Sequence, residues 1–309
     1  MNLSQNLPAV IAGTAITSAM VIIQPLAAQA LTGEEVNNIA REVTVLIKGD
    51  SGAHGSGVIV ARDSQTYYVL TADHVVNIKD NYKIITHDKQ AHKLDYSKVK
   101  PLPGVDLAIV EFSSKKKYKP AKLANSQTVT EGKPVFVSGW PRLTSVGKGG
   151  QLVRQFTDGR VSGFLSQPLE GYQMIYTNTT LGGMSGGPVL DAGGRVVGIH
   201  GMGDTEDPER LQREGLSPES ANSIARMIKP GFNYAIPINT FLTLAPKSGI
   251  YLGLKVENSP AGELGAPYVA SGKPDKRDTI KNINDVLNNV DEAANTINRI
   301  RKIPRLFGF

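Results

Sequence analysis

Ser185 stands in the stretch Asn178-Thr-Thr-Leu-Gly-Gly-Met-Ser-Gly-Gly-Pro-Val189, a single hydroxyl inside a cluster of glycines between two strand-like runs. An acyl-transfer serine needs its oxygen exposed on a sharp turn, with backbone N–H groups converging where a substrate oxyanion will form. Glycine lets the backbone kink and approach a ligand that closely. The N–H groups of Gly183 and Ser185 are therefore the expected oxyanion hole, with Gly186 and Gly187 keeping its floor clear. Such a nucleophile needs a histidine base, and the base needs a carboxylate to fix its tautomer. The chain has five histidines. Among them His74 closes the run Tyr67-Tyr-Val-Leu-Thr-Ala-Asp-His-Val-Val76, where aromatic and β-branched residues give way to polar ones at a strand end. Asp106 heads Asp106-Leu-Ala-Ile-Val-Glu-Phe112 after the turn signal Pro103-Gly-Val105. An acid at the head of a buried apolar strand is costly unless paired, and a histidine would pair it.

Short strand-like runs separated by turn signals must position these three side chains. They recur at 43–48, 56–62, 82–87, 134–139, 151–156, 173–177, 187–190 and 195–200, a spacing that predicts an all-β sandwich or barrel. The 309 residues leave room for a pair of barrels, which need about 200. Lys115-Lys-Lys-Tyr-Lys-Pro120 reads as a solvated connection between them. The formal charge of +6 favours acidic partners at long range without specifying a fold, and no nucleic-acid partner is expected. There is no cysteine, and a core of this size needs no disulfides. No metal or organic cofactor is required by a serine, histidine and aspartate, and the chain has no dense acidic calcium motif.

The order His74, Asp106, Ser185 in these contexts resembles the chymotrypsin-like (trypsin-like) serine peptidases. Gly55-Ser-Gly-Val-Ile-Val60, Leu70-Thr-Ala-Asp-His-Val-Val76, Gly139-Trp-Pro141 and Asn233-Tyr-Ala-Ile-Pro-Ile238 resemble their bacterial HtrA/Deg branch, over roughly residues 36–245. The resemblance implies an all-β, chymotrypsin-like fold of two six-stranded β-barrels. One barrel, 31–125, would carry His74 and Asp106; the other, 126–246, would carry Ser185, with the site in the cleft between them. Animal digestive relatives have an aspartate just before the nucleophile, which captures a newly cut N-terminal amine. Here that position is Met184, so activation by that ion pair is not expected.

Thr180 and His200, in Thr-x-Gly-Gly-x-Ser and Gly194-Arg-Val-Val-Gly-Ile-His-Gly-Met-Gly203, also resemble the glutamyl endopeptidases. In that family a threonine and a histidine at these positions bind the carboxylate of the residue before the scissile bond, which implies a substrate-binding set of Thr180, His200 and Gly201. The alternative is a pocket for small apolar residues. Thr179 stands where trypsins carry their selecting aspartate, so lysine or arginine is not favoured.

The ends of the chain carry separate signals. Residues 1–30 read as a signal peptide, with an apolar run from Pro8 to Ile23, then Gln24-Pro25 and Ala28-Gln-Ala30, although no lysine or arginine precedes the run. Export to the periplasm or medium is expected, with an uncleaved membrane anchor as the alternative. Residues 204–232 form a charged insertion with helix-like stretches, read either as a lid or as a peripheral loop. Residues 247–277 are rich in proline and glycine and read as a linker too short to be a PDZ domain. Ile280, Ile283, Leu287, Val290, Ala294 and Ile297 recur at spacings of three and four, predicting an amphipathic helix over 278–303 capped by Asp278. Its stripe over 280–297 suits self-association or a partner helix ahead of membrane contact. The expected activity is that of an exported serine endopeptidase acting on polypeptides. The alternatives are a non-catalytic or latent peptide-binding protein and a combined protease and chaperone.

Overall fold

The computed structural model describes residues 31–142, 152–203, 231–262 and 276–280, together with 212, 217–220 and 222. The expected signal peptide, nearly all of the 204–232 insertion and the helix beyond residue 280 lie outside the described residues.

The chain enters through a helix that the strand periodicity did not reveal, α1 (Gly33–Val43). Thr32 and Glu35 form a reciprocal cap: the Glu35 carboxylate accepts from the Thr32 N–H at 2.8 Å, and the Thr32 hydroxyl accepts from the Glu35 N–H at 3.3 Å. Val36, Ala40 and Val43, at helical spacing, are buried.

The first sheet comprises β1 (Thr44–Lys48), β2 (His54–Asp63), β3 (Thr66–Thr71), β4 (Lys83–Ile85), β5 (Ala91–Lys93), β6 (Lys100–Pro101) and β7 (Ala108–Ser113) in the order β5-β4-β1-β2-β3-β7-β6. It has seven strands where six were expected. The edges meet through side chains, with the His92 and Phe112 ring centroids 4.6 Å apart. Val45, Ile47, Ile59, Tyr67, Val69 and Val110 fill its interior.

The second sheet takes β8 (Leu123–Ala124), β9 (Pro134–Gly139), β11 (Gln155–Leu169), β12 (Tyr172–Tyr176), β13 (Pro188–Leu190), β14 (Val196–Gly203), β15 (Asn233–Pro237) and β16 (Val256–Glu257). Strands β13-β9-β11-β12-β15-β14 run in sequence, and β13 pairs back onto β14, which closes the six-stranded barrel. In β12, Tyr-Gln-Met-Ile-Tyr alternates buried and half-exposed, one face turned to the barrel core. A second helix, α2 (Ile238–Lys247), buries Ile238, Phe241 and Ala245.

Three boundaries differ from the sequence expectation. Leu123 and Ala124 belong to the second sheet, through parallel pairing of β8 with β14 and β16. The Lys115–Pro120 connection is pinned: Tyr118 is buried, its N–H donates to the Tyr67 hydroxyl, and Lys116 pairs with Asp88 at 2.9 Å. Part of the expected linker is folded, because Ile250 is buried, Leu252 and Leu254 pack on the core, and Val256 pairs with Leu123.

The expected helix start is also corrected. Asp278 ends a 3-10 turn, and Thr279–Ile280 form a strand, β17, against β10 (Leu152–Val153). Two arginines decide this conformation. Arg41 Nε and Arg154 Nε donate to Asp278 at 3.0 and 2.7 Å, and Ile280 is buried beside Leu46, Ile85 and Trp140. Ile280 therefore belongs to this protein's own core and is not available to a partner-binding stripe.

Candidate active site

His74 lies in a 3-10 turn, Asp73–Val75, that follows β3, and Asp106 lies in the loop entering β7. The His74 Nδ1 is 2.6 Å from Asp106 Oδ2, and the His74 backbone N–H donates to Asp106 Oδ1 at 2.8 Å. The imidazole is 43% exposed and the carboxylate 12%, so the base faces the cleft while its orienting acid sits behind it. Burial alone would raise the Asp106 carboxyl, but donors from His74 and Tyr172 outweigh it and hold the group below its usual value. Neighbouring Asp73 is pushed up by burial and by the Asp106 charge.

Ser185 sits in the turn before β13, as its glycines required. Gly186 has φ +83°, and a Cβ there would stand 2.1 Å from the Ser56 carbonyl oxygen. Gly183 has φ +98°, with His54 Nε2 2.5 Å from its hypothetical Cβ. Among the described residues the Gly183 and Ser185 N–H groups have no acceptor, whereas Met184, Gly186 and Gly187 donate to Leu181, His200 and Met184. Between Gly183 and Gly187, the two N–H groups expected to hold an oxyanion are thus the two without an acceptor among the described residues. The Ser185 hydroxyl donates to the Gly201 carbonyl at 3.3 Å and not to His74.

The turn is fastened from both sides. Met184 is buried with Val135, Val137, Val189 and Val197 in the second barrel, so an apolar anchor stands where an ion pair would in digestive relatives. Ser56, on β2 of the first sheet, accepts from the Trp140 N–H and donates to the Gly183 carbonyl, both at 2.9 Å, and its own N–H donates to the Ser185 carbonyl at 2.8 Å. Ser56 and Tyr172 were not singled out in the sequence. Ser56 was quoted only within the Gly55–Val60 motif, and neither position carries a local signal of its partners.

The residues expected to read an acidic side chain are buried and engaged. Thr180 bonds Asn233 through its hydroxyl, and His200 Nδ1 lies 2.6 Å from the Tyr176 hydroxyl. Asn233 and Tyr176 face each other across the β12–β15 ladder, so the two pairs share one wall of the barrel. Gly201 lies apart from these pairs, lining a groove of about 460 Å³ with His74, Asp106, Tyr172 and Met202.

Two β-barrels, a histidine and an aspartate on one, and a serine beneath paired N–H groups on the other, define the fold and site of a serine peptidase. Residues 55–199 match the model of the trypsin-like peptidase domain. A Serine protease Do-like HtrA of Bacillus subtilis (strain 168) is 31% identical over 166 residues, 51% of this chain and 35% of the relative. A probable periplasmic serine endoprotease DegP-like of Brucella suis is 29% identical over 149 residues, 48% of this chain and 27% of the relative. The matching stretch thus spans about a third of these relatives. A solved HtrA-type protease with a tripeptide superposes with a TM-score of 0.54 at 20% identity, covering 72% of this chain and 65% of that one, a likeness of fold.

Proposed function

We propose that the protein is an exported serine endopeptidase. The observation that carries this reading is that the His74–Asp106 pair lines one groove with Gly201, whose carbonyl accepts the Ser185 hydroxyl, in a turn whose Gly183 and Ser185 N–H groups have no acceptor among the described residues. As a peptide carbonyl enters, the Ser185 hydroxyl turns from Gly201 towards His74, which takes its proton while Oγ attacks the carbonyl carbon. The oxyanion accepts from the Gly183 and Ser185 N–H groups, and protonated His74 is steadied by Asp106. Collapse passes the His74 proton to the leaving amine and leaves an ester on Ser185. Water, deprotonated by His74, then hydrolyses the ester by the same steps.

Export is supported by the apolar run and Ala28-Gln-Ala30 in the sequence, and by the periplasmic location in the name of the Brucella relative. The finer reading, preference for glutamate before the scissile bond, is supported by Thr180 and His200 sharing one buried wall. It requires the Thr180 hydroxyl to exchange Asn233 for the substrate carboxylate, while His200 can keep its Nδ1 bond to Tyr176 and meet the carboxylate through Nε2. A latent enzyme is the second reading, favoured by the Ser185 hydrogen bond to Gly201.

The test uses residues 31–309 and the Ser185→Ala variant. Both are incubated with a fluorophosphonate reagent and with a mixture of unstructured peptides, and cut sites are mapped by mass spectrometry. Wild-type labelling and cleavage, both absent in Ser185→Ala, support the peptidase, and cuts clustered after glutamate support Thr180 and His200. Cuts after small apolar residues end the acidic reading. Absence of labelling and cleavage in the wild type refutes an active peptidase and leaves the latent form.

A further inference from the structure

The β11–β12 hairpin of the second barrel reaches across the cleft to the first. Its turn, Glu170-Gly171, has φ +48° and +89°, and the Glu170 carbonyl accepts the Asp106 N–H at 2.9 Å. The next residue, Tyr172, is 2% exposed and donates its hydroxyl to Asp106 Oδ2 at 2.5 Å. That oxygen is the one bound to His74 Nδ1. Burial and the Asp106 charge both push the phenol proton's pKa up, so Tyr172 is a permanent donor. Gly201 makes the approach possible, since a Cβ there would stand 1.9 Å from the Tyr172 hydroxyl oxygen. The carbonyl of the same glycine receives the Ser185 hydroxyl.

We propose that Tyr172 is a positioning residue for the base: it holds Asp106, and through it His74, in register with the barrel that carries Ser185, in space that only glycine at 201 leaves open. The assignment rests on the peptidase reading. A carboxylate oxygen shared by an imidazole and a phenol has little freedom to rotate, so the imidazole plane is set from both barrels at once. Without the phenol, Asp106 keeps its two bonds to His74 but loses its side-chain tie to the second barrel. The charged groups facing this carboxylate are His74 and Asp73 from the first barrel; Glu170 adds its charge beside Tyr172.

Tyr172→Phe keeps the buried ring and removes only the donor. With a fluorogenic peptide built on a mapped cut site, kcat falls about tenfold to a hundredfold, as for loss of a hydrogen bond to a charged group, while KM stays within about twofold. Gly201→Ala lowers kcat as well, and adding Tyr172→Phe to it costs little more, because the phenol has already been displaced. In the Ser185→Ala background, proton NMR should show a low-field, exchange-protected His74 Nδ1 proton that broadens or shifts when Tyr172 becomes phenylalanine. Unchanged kcat in Tyr172→Phe, full additivity with Gly201→Ala, or an unaltered Nδ1 resonance overturns the proposal. The resonance needs no turnover, so a protein that cuts nothing still tests Tyr172, while its failure to cut counts against the peptidase reading alone.

Discussion

Replacing Asp278 with asparagine removes the anion from between two buried guanidinium groups. Arg154 is 2% exposed in its side chain, Arg41 6% and Asp278 15%. The carboxylate accepts four bonds, from Arg41 at 3.0 and 2.9 Å and from Arg154 at 2.7 and 3.2 Å. Asn37, Asn38 and Ser138 accept three further guanidinium protons, and none of these three carries charge. Breaking a buried pair by deleting one partner costs about 3–5 kcal/mol, because the remaining charge stays desolvated. A local escape sets the ceiling. If 276–280 undock, the arginines reach water; burial of Ile280, worth about 1.5–3 kcal/mol, is lost, and each freed residue regains about 1–2 kcal/mol of backbone entropy. Asp278→Asn is therefore expected to lower unfolding stability by no more than about 3–5 kcal/mol, with a slightly smaller urea m-value because the undocked segment is already exposed, and to abolish amide-exchange protection at Ile280 and its ladder partner Leu152. Equal urea midpoints and intact protection at both amides would refute the assignment of these arginines as the force that holds the segment down.

Two further outcomes follow from groups around the nucleophile turn. His54 is held at about 4, below its ordinary 6.5, first by burial and then by Arg142 and Lys48. The folded state thus disfavours the proton that the unfolded chain takes up, so stability is full above pH 6.5 and declines as pH falls towards 4, by about 3 kcal/mol for this group; His54→Gln should flatten that part of the urea-midpoint profile, and an identical slope would remove His54 from the account. Met184→Ala empties a fully enclosed site in the second barrel, with an expected loss of about 2–4 kcal/mol and reduced fluorophosphonate labelling of Ser185 in the still-folded fraction; labelling at the wild-type rate would show that the anchor does not shape the turn.

The candidate residues were legible from local contrast: Ser185 is a lone hydroxyl among glycines, His74 is a polar residue at a strand end, and Asp106 is a largely buried acid that demands a partner. Strand positions were legible for the same reason: alternation in Tyr172–Tyr176 and the buried run that ends at a half-exposed Lys48 in Thr44–Lys48 are local patterns. The helix Gly33–Val43 was marked by Thr32 and Glu35, a capping box that strand periodicity alone does not detect. The roles of Ser56 and Tyr172 could not be read, because they arise from which strands become neighbours and in what register. Ile280 was misread for a related reason. Its spacing to Ile283 and Leu287 is helical, but its pairing with Leu152 and the Asp278 charge pairs come from parts of the chain far away in sequence.

That distance bears on the order of events during synthesis. Arg154 and Asp278 are separated by 124 residues, so at about 5–20 residues per second Arg154 emerges roughly 6–25 s before the Asp278 carboxylate does. During that interval Arg41 and Arg154 lack the Asp278 carboxylate, and Leu46, Ile85 and Trp140 lack the Ile280 side chain that packs with them. Trp140 is also the residue whose N–H is tied through Ser56 to Gly183, so β17 closes over the support of the nucleophile turn. Among the described residues, the last to be made thus pack behind the nucleophile turn, and a nascent chain halted short of residue 278 would carry His74, Asp106 and Ser185 with that packing unfinished.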